Sequence, residues 1–432
     1  MAKRISTLLS AALMVLVTCG VALASDGGAI NSGDTAWLLI STALVMLMTP
    51  GLALFYGGMV RRKNVLGTIM HSFMILCLVS VVWVLWGYSL SFGPDVGGFI
   101  GNLDWIGLRG VGQEANGTVP HYAFMMFQGM FAIITPALIT GAFAERIKFS
   151  SVMIFTVLWV TFVYAPVCHW VWGGGWIGTK IGALDFAGGT VVHINSAMAA
   201  IAAAIIIGKR KGYLKEHMAP HNLPMTILGA ALLWFGWFGF NAGSALASNG
   251  LATLAFVTTN TAAASAGLSW SLAEKLHRGK STALGAVSGA VAGLVAITPA
   301  AGFVTPLGSI AIGFVAGMVC YAAVSLKPKF GYDDALDVLG IHGVGGLWGA
   351  LATGIFATLA VNPAGANGLL AGNAGLLKAQ VIASAATIAY SLVVSSILLK
   401  IVDLISGLRV EEEQEVQGLD LSQHGENGYD MI

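Results

Sequence analysis

Apolar residues along this chain fall in long unbroken blocks. They do not show the alternating or three-to-four spacing of half-buried elements. Eleven blocks follow one another at 36–58, 66–92, 121–143, 150–168, 189–208, 223–242, 254–275, 281–298, 306–325, 338–360 and 378–402. Each is near the ~20 apolar residues a helix needs to cross a hydrocarbon core. Backbone in lipid must satisfy its own hydrogen bonds, which helices do within one segment. The pattern therefore predicts an all-α polytopic membrane protein with eleven transmembrane helices, over 25–406. A shorter apolar run at 8–21 follows Lys3 and Arg4 and precedes Ala22-Leu23-Ala24. That is the layout of a secretory signal peptide, 1–24, with cleavage after Ala24; the alternative is a retained first helix.

Composition agrees. The 432 residues are 56% hydrophobic and 9% charged, where soluble domains are about 25% charged. The 57 glycines suit helices that approach closely. A net charge of +1 argues against a nucleic-acid partner. Cys19, Cys77, Cys168 and Cys320 have no CxxC spacing, so they read as small apolar fillers. Neither a disulfide framework nor a zinc site is implied, and nothing calls for a cofactor.

Charge in the connecting segments predicts orientation. Arg61, Arg62 and Lys63 follow the first block, Arg146 and Lys148 the third, and Lys209, Arg210, Lys211 and Lys215 the fifth. Lys275, Arg278 and Lys280 follow the seventh, Lys327 and Lys329 the ninth, and Lys400 and Arg409 close the eleventh. The opposite side has only Arg109, Lys180 and Lys378. The positive-inside rule then places the basic side in the cytoplasm of a cell with an inner (plasma) membrane, and the N-terminus outside. The polar, acidic ending "RVEEEQEVQGLDLSQHGENGYDMI" reads as a cytoplasmic tail, 407–432. Asn116-Gly117-Thr118 matches a glycosylation sequon, most simply by chance in a bacterial chain.

Two blocks carry titratable groups inside them. The fifth has Asp185 at its entrance and His193 within; the tenth has Asp337 and then His342. Five segments separate them, so they cross in opposite directions. This is the trace of an inverted five-plus-five repeat, blocks one to five against six to ten, with the eleventh outside it. At 1.5 Å per residue His193 lies ~12 Å below Asp185 and His342 ~7.5 Å above Asp337. The two imidazoles then meet deep inside, approached from opposite faces. Asp185 and Asp337 are both expected to cap their helices. His71 reads as a core residue bonded to a carbonyl; the remaining histidines fall at span ends, loops or the tail.

Several long stretches resemble the ammonium transporter (Amt) family: "TPGLALFYGGMVRRKN", "FQGMFAIITPALITGAFAERIKF", "VWGGGWIGTKIGALDFAGGTVVHIN", "WFGWFGFNAGSA", "DDALDVLGIHGVGG" and "GLDLSQHGENGY". Together they extend from the first block to the C-terminus. The resemblance implies a homotrimer with a pore through each subunit. It implies twin pore histidines at His193 and His342 and an outer recruitment site at Phe131, Trp172 and Ser244, with the motif aspartate at Asp185. It further implies a gate of phenyl rings at Phe131 and Phe240, Trp237 lining the pore below, and Phe55 and Tyr56 in the first span. A PII-type regulatory protein is the implied partner of the tail, at Gly418-Leu419-Asp420 and His424-Gly425-Glu426-Asn427.

On this expectation ammonium is captured outside by aromatic faces, loses its proton below the gate, and passes the histidines as ammonia. The bare cation would meet a cost of at least ~2.5–3.5 kcal/mol at the bilayer centre. An ammonium sensor of the same fold is one alternative. A membrane enzyme using His193 and His342 as acid and base is another, although no HExxH, GxSxG or Cys/His cluster accompanies them.

Overall fold

A computed structural model describes residues 29–429. The segment 1–24, expected to be a signal peptide, lies outside the described residues. Ten helices there are long and apolar enough to span a membrane. They are α1 (Ser32–Met59), α2 (Arg62–Phe92), α3 (His121–Ile139), α4 (Phe149–Val171), α5 (Gly189–Ile207), α6 (Leu223–Gly243), α7 (Gly250–Arg278), α9 (Pro306–Phe330), α10 (Leu339–Phe356) and α11 (Ala374–Ser406). The eighth block forms α8 (Ala283–Ile297), which at 15 residues is shorter than the rest. Thr298 caps its C-terminus, and Pro299 stands immediately beyond, where a helix cannot readily continue. Two short antiparallel pairs, Asp95–Val96 with Ile100–Gly101 and Ala115–Asn116 with Val119–Pro120, lie in the α2–α3 connection.

Polar side chains start the helices where the apolar blocks begin. Asn31, Asn222, Thr282, Thr305 and Asn373 each accept a backbone N–H from the first turn of the helix that follows, satisfying donors that would otherwise be orphaned. The opening helices of the two halves, α1 and α6, share the most extensive contact in the protein. Gly229 makes that possible, because a Cβ there would overlap the backbone of Phe55. The closing helices of the halves, α5 and α10, meet at their histidines. Equivalent helices pairing across the centre is the arrangement an inverted repeat demands.

The tail is folded. Helices α12 (Glu412–Gln417) and α13 (Leu419–His424) lie against the α1–α2, α3–α4 and α5–α6 connections, and we call this side the tail face. The Asp420 carboxylate accepts the Gly67 N–H at 2.8 Å, a negative charge at the N-terminal turns of α2. Asn64 Oδ1 accepts the Leu419 N–H at 2.8 Å, and Lys63 donates to the Val416 carbonyl. The acids of the tail are thus used on partners elsewhere in the chain.

A buried ionic network underlies the tail. Arg210 grips Asp333 through Nε at 2.9 Å and Nη2 at 2.8 Å. Glu145 pairs with Arg61 at 2.7 Å and lies 3.5 Å from Arg210. Arg146, fully buried, donates to the carbonyls of Gly208, Ala144 and Asp333. Glu415 joins the tail to the network through Arg409 at 2.7 Å and the Lys211 N–H at 2.6 Å. Burial alone would raise the Glu145 carboxyl, but Arg210 and Arg61 outweigh it and hold the group below its usual range. Burial likewise works against ionised Asp333, and Arg210 overcomes it.

A carboxyl lowered in the folded state contributes stability above its unfolded pKa and loses it as pH falls through the folded value. Arg210→Met leaves two buried carboxylates short of a partner. It should cost about 3–5 kcal/mol near neutral pH. The difference in thermal midpoint between parent and variant should be full near neutrality and close as the solution is acidified below the carboxyl range. Melting curves of both proteins over a pH series check this; a gap independent of pH would show that the charges do not matter.

Candidate functional site

His193 and His342 both stand on widened turns. The first turns of α5 and α10, Gly189–Ile194 and Leu339–Gly343, are π-helical, a departure that is frequent at functional sites. Asp185 fixes the start of α5. Its Oδ1 accepts the N–H groups of Gly188 and Gly189 at 2.7 and 2.8 Å, and its Oδ2 those of Thr190 and Val191 at 2.7 and 3.2 Å. The expected cap is thus present, with four donors. At α10 the expectation fails. Asp337 adopts a left-handed φ of +62°, and its carboxylate is committed to Lys327 at 2.5 Å. Asp334 caps instead, accepting the Leu339 N–H at 2.8 Å.

The imidazoles meet as the repeat predicted. Their Nδ1 atoms are 3.2 Å apart, and the rings, inclined at 27°, have centroids 5.2 Å apart. Gly346 lets α10 come this close: a Cβ there would stand 2.9 Å from His193 Cβ. A single proton bridges the two Nδ1 atoms, one donating and one accepting. In the neutral pair the donor ring then keeps a lone pair on Nε2 and the acceptor ring carries Nε2–H. The pair therefore offers one acceptor and one donor to a third molecule. His193 Nε2 is buried and has no hydrogen-bond partner among the described residues. It lines a cavity of about 10 Å³ with His342, Trp237, Phe240, Leu52 and Phe55, about the space one water-sized molecule needs.

Aromatic rings close this cavity on the side away from the tail. The Trp237 ring lies 5.5 Å from that of His193, held by its Nε1–H donating to Thr298 Oγ1 at 2.9 Å. Phe131 and Phe240, both buried, overlap with centroids 4.3 Å apart. Beyond them opens a larger cavity of about 340 Å³, lined by Phe131, Trp172, Asp185, Ser244, Gln128 and Phe303 among others. The edge-to-face contact between Trp172 and Phe131, at 5.8 Å and 85°, and the bond from Trp172 Nε1–H to the Asp185 carbonyl at 2.8 Å fix the indole. Ser244 Oγ donates to the Phe240 carbonyl at 2.8 Å, so its lone pairs remain available. Indole, phenyl, hydroxyl and carboxylate around one hollow suit a compact cation.

Eight of the expected residues thus line two neighbouring cavities, Phe131, Trp172, Asp185 and Ser244 the larger and Phe240, Trp237, His193 and His342 the smaller, joined by the Phe131–Phe240 contact. Two histidines outside the pair are also tied in. His71 is buried as expected, but among the described residues it makes no carbonyl bond and instead stacks on Phe149, with centroids 6.0 Å apart. His169 places Nδ1 3.0 Å from the Ser91 carbonyl and Nε2 2.8 Å from Asp95, anchoring the end of α4 that carries Trp172. Thr298, Gln128 and Gly346 were missed. Thr298 acts on a residue 61 positions away, and no local pattern could have pointed to it.

A family model described as the Ammonium Transporter Family matches residues 36–429. An ammonium transporter of Bacillus subtilis (strain 168) is 57% identical over 401 residues, 92% of this chain and 98% of that protein. Ammonium transporter Amt1 of Archaeoglobus fulgidus is 54% identical over 399 residues, 92% of this chain and all of the relative. Among solved structures, Saccharomyces cerevisiae Mep2 superposes with a TM-score of 0.83 at 37% identity, covering 90% of this chain and 89% of that one. A structure described as a Sensor Amt Protein superposes at 0.84 with 30% identity, covering 91% and 98%.

Proposed function

This chain belongs to the ammonium transporter family, and from that premise we propose how it moves ammonium across the membrane. The cation is collected in the larger cavity, against the faces of Trp172 and Phe131 and the hydroxyl of Ser244, with the Asp185 carboxylate supplying negative potential. Near the Phe131–Phe240 ring pair it gives up its proton to water of the larger cavity, which carries it back to the outer solution. Ammonia then enters the small cavity and is held by the donor and acceptor that the two Nε2 atoms provide. The observation that carries this reading is the buried His193–His342 pair next to the Phe131–Phe240 ring pair. Ammonia has three donors and one acceptor and fits such a pair. Potassium has a similar charge and no proton to lose, so it meets the full cost of a charge in an apolar channel.

The large cavity faces outward in this reading and the tail face inward, as the basic loops favour. The chain works as a homotrimer with one pore per subunit. The tail is the docking element for a PII-type regulator. Because Leu419 and Asp420 are buried against the α1–α2 connection and the start of α2, the regulator meets what they leave outward, Val416 and Leu421. A sensor shares this fold; uptake by the reconstituted protein separates carrying from sensing.

Capture and passage are tested separately. Trp172→Leu removes the strongest cation–π face and should raise the half-saturating ammonium concentration roughly tenfold, with a smaller effect on maximal flux. An unchanged half-saturation would move the capture site elsewhere.

Truncation before Glu411 should abolish capture of a PII-type protein in a pull-down. It also strips Asp420 from α2, so Leu421→Lys is the companion variant: it should weaken capture while leaving the melting temperature in place. Full binding by both would remove the tail from the interface.

For passage, His193→Asp places a carboxylate at mid-channel, where its charge offsets that of a cation. Potassium current in liposomes should rise roughly tenfold or more over the parent, increasingly as pH rises and the buried acid ionises. His193→Leu should pass little of either ion. If His193→Asp stays as potassium-tight as the parent at alkaline pH, His193 does not line the path.

A further inference from the structure

The small cavity at the histidines has a successor toward the tail face. It is lined on α1 by Phe55, on α8 by Val291 and on α10 by His342. A second cavity, of about 320 Å³, is lined on the same three helices by Met59, Ser288 and Ile341. Each of these is displaced toward the tail along its helix. This cavity also borders Trp270, Glu274, Tyr321 and Asp337, and no step described so far uses it.

Glu274 is the anomaly there. Its side chain is buried, with 5% exposure. Among the described residues its hydrogen-bond donors are the N–H and the hydroxyl of Thr282, at 2.9 and 3.1 Å. The other buried glutamates and Asp333 on this face each meet an arginine: Glu145 meets Arg61, Asp333 meets Arg210, and Glu415 meets Arg409; the buried Asp334 and Asp420 are instead held by backbone N–H groups at the starts of α10 and α2 and border no part of this cavity. Arg278 is exposed on the same cavity and makes no ion pair with Glu274. Asp337 is neutralised by Lys327. A buried carboxylate held only by neutral donors is costly unless a cation completes it. Gly285 leaves it room, since a Cβ there would overlap the carboxylate. Ser288, 8% exposed, lines the cavity with a hydroxyl that has no hydrogen-bond partner among the described residues, and the Trp270 and Tyr321 rings border the same space.

We propose that this cavity is a second, tail-side site for a monovalent cation of ammonium's size, bound by the Glu274 carboxylate and the Ser288 hydroxyl beside two aromatic rings. As a step of transport it rests on the reading above: ammonium formed on the exit side occupies it before release, so a high exit-side concentration holds transport back. The site resembles the entrance cavity in chemistry, with carboxylate, serine hydroxyl and indole again around one hollow. It is built from different helices, α7, α8 and α9 in place of α4 and α5.

The test has two arms on the purified full-length protein. Crystals soaked in rubidium chloride, rubidium serving as the ammonium-sized probe, should show an anomalous peak between Glu274 and Ser288 that ammonium chloride displaces. Glu274→Gln keeps an acceptor for Thr282 and should lose the peak; Ser288→Ala should weaken it. No peak in the parent, or a full peak in Glu274→Gln, overturns the site. In the second arm, uptake of isotopically labelled ammonium is measured into liposomes preloaded with unlabelled ammonium. Glu274→Gln should need roughly tenfold more internal ammonium for the same inhibition. Equal inhibition in both proteins overturns the exit role. A parent that takes up no ammonium overturns the transport reading instead, while the rubidium arm still decides the site.

Discussion

An imidazole taken out of water retains a donor and an acceptor, and in an apolar bundle neither finds a partner unless one is built. His193 and His342 satisfy one function each by sharing a hydrogen bond at 3.2 Å. Much of the bundle serves that contact. The π-helical turns present the rings, and Gly346 lets α10 approach α5. The four N–H groups gathered by Asp185 hold α5 at one end, and the Asp334 cap holds α10 at the other. The remaining donor and acceptor face a hollow the size of one small molecule, which makes the pair a site as well as a packing solution.

The two ends of the path differ in what surrounds the charge. Away from the tail, Asp185 is spent on backbone N–H groups, while indole and phenyl faces and a serine hydroxyl remain open in a wide cavity. At the tail face, carboxylates and arginines are matched into a network that ties Arg61, Glu145, Arg210, Asp333 and the tail residue Glu415 together. That network holds the connections leading into α2, α6 and α10. Glu274 is left outside this matching, which is why it stands out as a place for a cation brought from elsewhere.

Much of the fold was readable from the chain because spanning a membrane imposes a length and a polarity on each segment. All eleven blocks became helices within a few residues of their predicted bounds. The twin histidines were readable too, since titratable side chains at corresponding positions of two halves break the apolar pattern where nothing local explains them. How the tail packs was not legible. Its acids look solvent-seeking, yet Asp420 and Glu415 are buried on partners hundreds of residues away. Asp337 was misread for a related reason: a carboxylate before a helix looks like a cap, but its left-handed backbone and Lys327 take it elsewhere, and Asp334 takes the role.

The sequence by itself therefore determined how many segments cross, which pairs of them correspond, and which residue types break the apolar pattern, because burial in lipid is a property of each segment read alone. Only the tertiary structure decided which of those residues face one another. The Nδ1–Nδ1 contact, the support of Trp237 by Thr298, the overlap of Phe131 with Phe240 and the unmatched charge of Glu274 all depend on helices distant in sequence. Hydrogen bonds and ring contacts act over a few ångströms, and distance along the chain does not encode them.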